Sequence, residues 1–521
     1  MRKPTFAIAS LLTLSAVSAA VAVPVSAGAA DGGTAFRAPI YIDNQLAGSE
    51  GFVMEATDPK NPDAPRRLIY ATHEGTTLLY KAGLTSPAGS TDYTSTYRNQ
   101  VNLWTSADDG KSWQRANFNG TGFFTNPAQN SGFSDPDITE DGAGNVYITG
   151  INLVNDSLVS SPDRGATWPT GTAQCHEGDR PWLAGGPGTS VFMADDPSSS
   201  SWQVVRSTDA GATCSSAYLN READGTGYGK IVYDARTDTL WEAAVKGGTV
   251  GAISFTGAMK AFDDAAAAGT TGEIGSFTFH PIADTTLNTF WNAQIAESPD
   301  GTFYVVWTTQ DDGPNHVMMG WSRDNGATWQ TKEISQPATG TAIAPWVAAG
   351  TDGRVDVAWY EWAQLASDVN NTAADNPMSV KFATVSGGNT DNPTVDQITD
   401  PIGRPVHLGP MCLGTACVAS TSDRRLGEFF TITPDQFGCV MIATGDTMMT
   451  DPTTGGTLPT ARGLYTVQDE GTSLTGEDCA AAHPDAVGPA LPEMPAPALA
   501  AVAALLVAGA VVIRRRRRLA G

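Results

Sequence analysis

The sequence predicts an all-β fold, a ring of four-stranded antiparallel sheets called a β-propeller. Three observations predict it. A turn motif of the form Ser-x-Asp-x-Gly-x-x-Trp occurs four times, a second Asp-bearing turn recurs out of phase with it, and helical periodicity is nearly absent. Four strands repeated at about 40–50 residues are typical of propeller blades. The stretch 259–269 is the one predicted short helix.

The first motif predicts a hairpin turn that is braced by its own side chains. Gly tolerates a left-handed backbone, Asp hydrogen-bonds its own backbone two residues on, and Trp covers the turn with a large ring. The third copy has Cys in place of Trp. We call the four copies the braced turns; they are SADDGKSW at 106–113, SPDRGATW at 161–168, STDAGATC at 207–214 and SRDNGATW at 322–329.

The second turn sets the number of blades. It precedes an alternating apolar strand in TEDGAGNVYITG, AESPDGTFYVVW, AAGTDGRVDVAW and TITPDQFGCVMIA, a pattern typical of hairpins. Seven blades are predicted, with six as the alternative if 229–290 is an insertion. The last blade lacks an outer strand, and residues 38–43 are predicted to supply it and close the ring. The predicted innermost strands begin near Gly51, Asp135, Arg180, Gly229, Asn292, Ala344 and Arg425.

Both ends of the chain carry targeting patterns. Residues 1–30 combine a basic start, an apolar run and small residues, which predicts a secretory signal peptide. Residues 494–513 are apolar and are followed by the basic tail 514–521, which predicts a membrane anchor. The expected order is signal peptide, propeller over 31–480, linker over 481–493, and anchor. The propeller is therefore expected outside the cell.

Charge and cysteine content restrict the partners. The chain carries 31 Lys and Arg against 55 Asp and Glu, a net charge of −24. A surface of that charge repels nucleic acid and anionic membranes. The expected partner is an extracellular glycan or glycoprotein, bound by a monomer that is attached to the membrane through its C-terminal helix. No cofactor is predicted, although the acidic loop 311–313 is compatible with a structural calcium ion.

All six cysteines lie in the exported part, where an even number favours disulfides. Six cysteines allow 15 connectivities. The position of the cysteines within the repeats favours three pairs: Cys175–Cys214, Cys412–Cys417 and Cys439–Cys479.

Functional residues are expected on the face opposite the braced turns. With this strand order, loops that lead into innermost strands share a face with loops that follow second strands. Glycoside hydrolysis needs two carboxyl groups, or a tyrosine with a carboxylate beside it. Arginines suit capture of a carboxylate, and aromatic side chains suit stacking on sugar rings. The catalytic candidates are Tyr360, Glu361, Asp135 and Glu428; the substrate-binding candidates are Arg180, Arg425, Asp137, Asp179, Trp182 and Trp346.

These candidates have structural alternatives. The charged side chains can instead bridge neighbouring blades, and Tyr360 can belong to ordinary blade packing. Tyr360 and Glu361 are adjacent, so strand alternation predicts that they point to opposite faces. His73 and Arg424 lie in loops of the same face, and His73 is interpreted as a hydrogen-bonded loop histidine.

The braced-turn motif resembles the Asp-box, or BNR repeat, of sialidases and related propellers, over most of residues 31–480. In that family the boxes are structural and lie opposite the ligand site. FRAP at 36–39 resembles the family's FRIP signature, and Arg180 and Arg425 are the candidates for its further substrate arginines. The resemblance implies a cell-surface exo-glycosidase of sialidase type that acts on terminal sugars. The alternative is a non-catalytic propeller that binds glycan or protein, because propellers host both roles.

Overall fold

The described chain forms seven antiparallel sheets arranged as a β-propeller. The seven-blade prediction is confirmed, and residues 229–290 supply a blade of their own. The computed structural model describes residues 33–484 except 44–47, 74–100, 117–133, 152–154, 196–202, 222–228, 285–292, 310–314, 336–339, 367–368, 370, 412–422, 451–457 and 459.

The first three blades follow two short N-terminal strands, β1 (Ala35–Phe36) and β2 (Ile40–Tyr41). Blade 1 contains β3 (Ser49–Glu55), β4 (Leu68–His73), β5 (Asn102–Ser106) and β6 (Gln114–Arg115). Blade 2 contains β7 (Ser134–Glu140), β8 (Val146–Ile151), β9 (Asp156–Ser161) and β10 (Thr170–His176). Blade 3 contains β11 (Trp182–Gly185), β12 (Val191–Asp195), β13 (Gln203–Ser207) and β14 (Ala217–Asn220).

Blade 4 carries an excursion between its third and fourth strands. It contains β15 (Val232–Asp234), β16 (Thr239–Lys246) and β17 (Thr249–Thr256), then α1 (Ala258–Ala268), β18 (Gly272–Ser276) and β19 (Thr278–Asp284). The predicted helix at 259–269 is confirmed by α1. Blade 5 contains β20 (Gln294–Glu297), β21 (Phe303–Thr309), β22 (His316–Ser322) and β23 (Gln330–Glu333).

The last two blades complete the ring. Blade 6 contains β24 (Thr341–Ala349), β25 (Val355–Trp362), β26 (Pro377–Ser386), β27 (Thr394–Thr399) and the short β28 (His407–Leu408), with a 3-10 turn at Thr351–Gly353. Blade 7 contains β29 (Thr431–Pro434), β30 (Val440–Asp446) and β31 (Arg462–Glu470), and α2 (Cys479–Ala482) follows it. Both β1 and β2 pair antiparallel with β31, so the predicted closure by the N-terminal segment is confirmed.

The four braced turns share one hydrogen-bond pattern. In the fourth copy, Ser322 Oγ accepts the Gly326 amide at 2.9 Å, and Asp324 accepts the amide and the hydroxyl of Thr328 at 2.9 and 2.6 Å. Trp329 donates its indole N–H to the Gly326 carbonyl at 3.1 Å. The serine–glycine hydrogen bond recurs at 3.0, 2.7 and 3.0 Å in the other three copies. All four turns connect third to fourth strands and lie on one face, which we call the bottom face; the opposite face is the top face.

Each braced turn packs under the blade that precedes its own. A Cβ placed on Gly110 of blade 1 would lie 2.2 Å from Cε1 of Tyr465 in blade 7. A Cβ on Gly326 of blade 5 would lie 2.7 Å from the Trp241 ring in blade 4. The corresponding contacts of blades 2 and 3 are Gly165 with Ile69 and Gly211 with Leu158. At Gly110, Gly165 and Gly326 the turn approaches its neighbour so closely that no Cβ fits between them, whereas a Cβ at Gly211 would meet its nearest atom at 3.4 Å.

Other structures fill the same place in blades 4 and 6. The α1 helix lies against blade 3, where the rings of Phe262 and Phe192 are 5.9 Å apart, and β18 then pairs in parallel with β14 of blade 3. In blade 6, the carbonyl of Thr390 accepts the indole N–H of Trp321 from blade 5 at 2.9 Å. The connection between third and fourth strands therefore contacts the preceding blade whether or not it carries the motif.

Two of the three predicted disulfides are confirmed, Cys175–Cys214 and Cys439–Cys479. The third pair, Cys412–Cys417, lies outside the described residues, as do the signal segment 1–30, the acidic loop 311–313 and the anchor 494–513. Within the described part of the chain, no helix has the length and apolar character needed to span a bilayer.

A buried histidine ties the C-terminal segment to the bottom face. The Nδ1 and Nε2 atoms of His483 lie 2.9 Å from Asp109 and 3.1 Å from Asp435, and Arg66 pairs with both aspartates. We call these four residues the bottom latch. Burial alone would lower the pKa of His483, but hydrogen bonds to the two aspartates outweigh it and raise the pKa. The latch joins the tail to the first and last blades and therefore secures the ring closure.

The glycine contacts predict that a Gly→Ala substitution lowers the free energy of unfolding by different amounts in different braced turns. Gly110→Ala is expected to destabilise the protein more than Gly211→Ala, because both have positive φ but a Cβ at Gly211 meets its nearest atom only at 3.4 Å. Left-handed strain costs about 1–2 kcal/mol at either position, and overpacking adds about 1–3 kcal/mol at Gly110. Denaturant unfolding measures both variants. Equal losses would contradict the packing of this turn on blade 7.

The bottom latch predicts that stability falls as pH rises. A raised His pKa contributes stability that is complete below the unfolded value of about 6.5 and is lost as pH passes through the higher folded value. Melting temperatures are measured from about pH 5.5 to 8.5, on both sides of the ordinary His pKa of about 6.5. The melting temperature should fall less steeply with pH in His483→Gln than in the parent. A variant that keeps the parent's slope would show that His483 does not titrate in the latch.

Candidate functional site

The innermost strands of blades 1, 2, 3 and 6 share a backbone feature near their first residue. Glu50, Asp135, Arg180 and Ala344 all have positive φ, at 52°, 50°, 55° and 49°. The strand register shifts beside Glu50, Asp135 and Ala344, which marks β-bulges. A bulge redirects side chains, and the left-handed conformation costs a non-glycine residue about 1–2 kcal/mol. Such repeated strain is characteristic of functional sites.

Two residues after the strained position, an aromatic side chain enters the channel in three of these blades. Phe52, Trp182 and Trp346 meet Phe429 of blade 7 across the axis, with ring centroids 5.2–6.1 Å apart. All four are buried. We call them the aromatic plug. Trp182 and Trp346, predicted to stack on sugar, instead pack on each other and on the phenylalanines, so the channel is closed beneath the top face.

Above the plug, polar side chains from four blades gather at the top opening. We call this group the mouth cluster; its members are Glu50, His73, Asp135, Arg180, Arg424 and Glu428. Innermost-strand starts and one second-strand end supply them, as the strand order predicts. The sequence candidates Asp135, Arg180 and Glu428 are brought together here.

Glu428 joins the two arginines of the mouth cluster. Its Oε2 accepts from Arg180 and its Oε1 from Arg424, both at 2.9 Å. Burial would raise the pKa of Glu428, but the two guanidinium groups outweigh it and lower the pKa. The Glu428 amide also donates to Glu50 Oε1 at 2.9 Å. Glu428 is therefore ionised at neutral pH and fixes the position of both arginines.

The other two carboxyls of the mouth cluster have raised pKa values. Burial, followed by the charge of Glu428, raises the pKa of Glu50 to about 8. Burial, followed by the charges of Glu50, Asp179 and Glu428, raises the pKa of Asp135 well above its ordinary range. Asp135 remains partly exposed, whereas Glu50 is fully buried. Both groups are therefore protonated near neutral pH, and Asp135 is the one of the two that solvent reaches.

One set of donors in the mouth cluster has spacing suitable for a cation. Glu50, His73 and Asp135 each offer one ligand atom, and these atoms lie within 4.8 Å of one another. Burial and the charge of Arg424 lower the pKa of His73 to about 3, so its imidazole is neutral. The same positive charge opposes a cation there. A second group, Asp435, Cys439 and His483, has its cysteine in a disulfide.

The remaining aspartates predicted for the site occupy different environments. Asp179 is exposed beside Arg180. Asp137 is fully buried, accepts the Leu183 amide of blade 3 at 2.7 Å, and pairs with Lys230 of blade 4. Asp137 thus bridges blades, as the structural alternative proposed, while Asp179 faces solvent.

Arg425 points away from the mouth, although its neighbour Arg424 belongs to the cluster. Its guanidinium forms hydrogen bonds to Asp423 at 2.6–3.0 Å and to the carbonyls of Thr447 and Leu458 at 3.2 and 2.9 Å. The side chain is 5% exposed. Arg425 therefore supports the loop that carries Arg424, and the substrate-binding role predicted for it is better filled by Arg424.

Tyr360 and Glu361 do not form a catalytic pair. Tyr360 is buried between blades 6 and 7, where its hydroxyl bonds Thr444 at 2.7 Å and its ring lies 4.3 Å from Phe430. Burial raises its pKa. Glu361 accepts the indole N–H of Trp359 at 2.9 Å on the opposite strand face, as their adjacency predicts.

The FRAP arginine is also remote from the mouth. Arg37 follows β1 in the closing segment and pairs with Asp109 of a braced turn at 2.8 Å. Among the described residues, two arginines, Arg180 and Arg424, belong to the mouth cluster, and the FRAP resemblance does not supply a third.

Sequence reasoning missed Glu50 and gave no role to Arg424. A weak signal was present, since EGF at 50–52, RPW at 180–182 and APW at 344–346 repeat a residue, then Gly or Pro, then an aromatic residue. DPD at 135–137 has the same spacing with an aspartate in the third place. The pattern marks the bulges that carry the mouth residues.

Comparisons with known proteins leave the family open. No family model and no curated protein matches the chain. A protein of unknown function from Dyadobacter fermentans is 12% identical, with 84% of this chain and 99% of that chain covered and a TM-score of 0.39. The NanB sialidase of Streptococcus pneumoniae is 11% identical (83% and 70% covered, TM-score 0.39), and an α-L-arabinofuranosidase of Fusarium graminearum is 10% identical (84% and 96% covered, TM-score 0.38). Likeness at this level does not identify the activity.

The contrast between the adjacent arginines predicts different effects of substitution. Arg425→Ala is expected to cost about 3–5 kcal/mol of unfolding free energy, because it leaves the buried Asp423 carboxylate without its partner. Arg323→Ala, which removes an exposed pair with Asp391, should cost under about 1 kcal/mol. Urea denaturation compares the two variants. A stable Arg425→Ala protein would return Arg425 to the list of ligand-binding candidates.

Proposed function

We propose that this protein is an exo-acting glycoside hydrolase whose sugar pocket is the mouth above the aromatic plug. The proposal depends on one observation: a partly exposed carboxyl, Asp135, and an arginine-paired carboxylate, Glu428, lie in one cluster above the aromatic plug, where the pKa of the first is raised and that of the second is lowered. Carboxyls whose pKa values are pushed apart are the mark of acid–base assignments in active sites. Hydrolysis of a glycosidic bond requires an acid that protonates the leaving oxygen.

The side chains that act on the substrate take separate roles. Asp135, protonated and partly exposed, donates the proton to the leaving oxygen. Asp179, exposed nearby, is the second carboxyl and activates water or stabilises the sugar cation. Arg180 and Arg424, held by Glu428, donate hydrogen bonds to sugar hydroxyls or to a sugar carboxylate. A terminal sialic acid offers such a carboxylate.

The closed channel favours action on chain ends. Phe52, Trp182, Trp346 and Phe429 fill the axis below the mouth cluster, so a glycan cannot thread through the ring. A pocket with a floor admits the terminal residue of a chain. This geometry supports exo-action rather than cleavage within a polymer.

The proposed setting is the outer face of a cell membrane. The signal and anchor patterns of the sequence support it, and so do the two disulfides of the described chain, because disulfides persist in oxidising surroundings. The proposed partner is a terminal sugar of an extracellular glycan or glycoprotein, handled by a monomer without a cofactor.

Asp135→Asn tests the proton donor. Full-length protein in mild detergent is assayed on fluorogenic glycosides that include α-sialosides and α-L-arabinofuranosides. The substitution should lower kcat by about 10²–10⁴-fold on glycosides with poor leaving groups, because the acid is lost. Asp352→Asn is the matched control, since its side chain is 83% exposed on the bottom face. Equal turnover by the parent and Asp135→Asn would refute the assignment.

A second candidate is a non-catalytic glycan-binding propeller. The observation that favours it is the internal pairing of the mouth cluster, in which Glu428 already occupies both arginines. Binding of a sugar without turnover of any glycoside, with affinity lost in Arg424→Ala, would support this candidate over the enzyme.

A further inference from the structure

The proposed mechanism gives no task to two residues of the mouth cluster, His73 and Glu50, and the position of Glu50 calls for an explanation. Glu50 is fully buried beneath the opening, held at positive φ, and supplied by the innermost strand of blade 1. Its Oε1 accepts the Glu428 amide at 2.9 Å. Its Oε2 is buried and has no hydrogen-bond partner among the described residues. A buried carboxyl oxygen without a partner is costly, so its retention calls for an explanation.

The Glu50 carboxyl has a specific neighbour. An oxygen of Glu50 and an oxygen of Asp135 lie within 4.8 Å of each other and of a His73 nitrogen. One bridging water spans such a separation, and a direct hydrogen bond forms when the two oxygens approach to about 3 Å. Two carboxylates this close do not both ionise readily, because each charge disfavours the other.

We propose that Glu50 is a positioning residue that shares a proton with Asp135. Through its hydrogen bond to the Glu428 amide, it also fixes Asp135 and Glu428 relative to each other. The inference rests on the proposed role of Asp135 as proton donor. Both carboxyls hold a proton at rest. When Asp135 gives its proton to a leaving group, the proton that remains on Glu50 is shared between the two carboxyls, so the single negative charge that appears is spread over the pair. The proton moves between two carboxyl oxygens, and no other group changes its charge.

The surrounding charges permit this arrangement. The titratable groups that face the pair come from four blades and are His73, Asp179, Arg180, Tyr360, Arg424 and Glu428. The two arginines are balanced against Glu428 and one further negative charge. His73 is neutral, and burial raises the pKa of Tyr360, so it stays neutral too. After the donation, the one proton left on the Glu50–Asp135 pair therefore leaves the buried part of the mouth nearly uncharged.

A divalent cation is the competing occupant. Glu50, His73 and Asp135 supply donors that Zn²⁺ or Mn²⁺ accepts. The fixed charge of Arg424, which lowers the pKa of His73, disfavours a cation at this place. We therefore infer that a proton, and not a metal ion, lies between the carboxyls of Glu50 and Asp135. Metal binding is one outcome of the test.

The experiment compares Glu50→Gln with the parent without using a substrate. In the parent, the folded state keeps a proton that the unfolded chain releases above about pH 4.3. Stability should therefore fall as pH rises toward about 8. Glu50→Gln should flatten this decline. The matched control is Glu361→Gln, which removes a glutamate outside the mouth and should keep the parent's slope.

Infrared spectroscopy compares the parent with Glu50→Gln, because other buried carboxyls such as Asp356 and Glu242 also have raised pKa values and contribute to the spectrum. In protein labelled with ¹³C at Asp and Glu carboxyls, the parent should retain a protonated-carboxyl band at neutral pH, well above the ordinary pKa of about 4, that Glu50→Gln lacks. Absence of that band, or equal pH slopes for the parent and Glu50→Gln, would overturn the proposal. One-to-one binding of Mn²⁺ or Zn²⁺ by the parent, lost in Glu50→Gln, would also overturn it and assign the three donors to a metal.

Turnover, where a substrate is found, separates the two proposals. Glu50→Gln should shift the alkaline limb of the kcat/KM profile to lower pH, because the neutral amide no longer opposes ionisation of Asp135. A protonated-carboxyl band without any turnover would leave the shared proton standing and refute the hydrolase. Turnover with an unshifted profile would refute the role of Glu50 alone.

Discussion

The ring depends on one packing constraint: the connection between the third and fourth strands of a blade must fit beneath the blade before it. Four blades meet it with a Ser-x-Asp-x-Gly turn whose glycine lies against a buried side chain such as Tyr465 or Trp241. Blade 4 meets it with α1, and blade 6 with the backbone of Thr390. Where the motif is missing, the contact persists, so the contact and not the motif is the structural requirement. At the junction between the last blade and the first, the bottom latch adds ionic contacts to it.

The bottom face is occupied by the packing of these connections against the preceding blades. The polar mouth cluster lies on the top face. Each innermost strand starts there, and in blades 1, 2, 3 and 6 a left-handed residue marks the start. In three of these blades the strained residue is charged, and an aromatic residue or Asp137 follows two positions later. The bulges thus produce two layers, a polar mouth and an aromatic plug. The strained residues lie within the innermost strand, as Asp135 does in β7, or two residues before it, as Arg180 does before β11, so regular strands position both side chains.

The architecture was predictable from sequence because its signals are local. The braced turns can be recognised in single stretches of consecutive residues. The positions of the cysteines within the repeats predicted the disulfides Cys175–Cys214 and Cys439–Cys479. The mouth was only partly predictable. Asp135, Arg180 and Glu428 were named, but a shift of one residue decides that Arg424 enters the cluster while Arg425 supports its loop. Glu50 was missed because its importance arises from burial against Glu428 and Asp135, contacts that join distant parts of the chain. Tyr360 has suitable chemistry, but it lies in the interface between blades, which no local pattern reveals.

The mouth cluster places two arginines and three carboxyls together above the aromatic plug. The most direct test is a crystal structure of the protein with the tightest-binding sugar from a panel that includes N-acetylneuraminic acid and L-arabinose. The sugar is expected above Trp182 and Trp346, within hydrogen-bond distance of Asp135 and Arg424. A sugar bound among the braced turns, with the mouth unaltered and empty, would contradict the assignment of the top face as the working face.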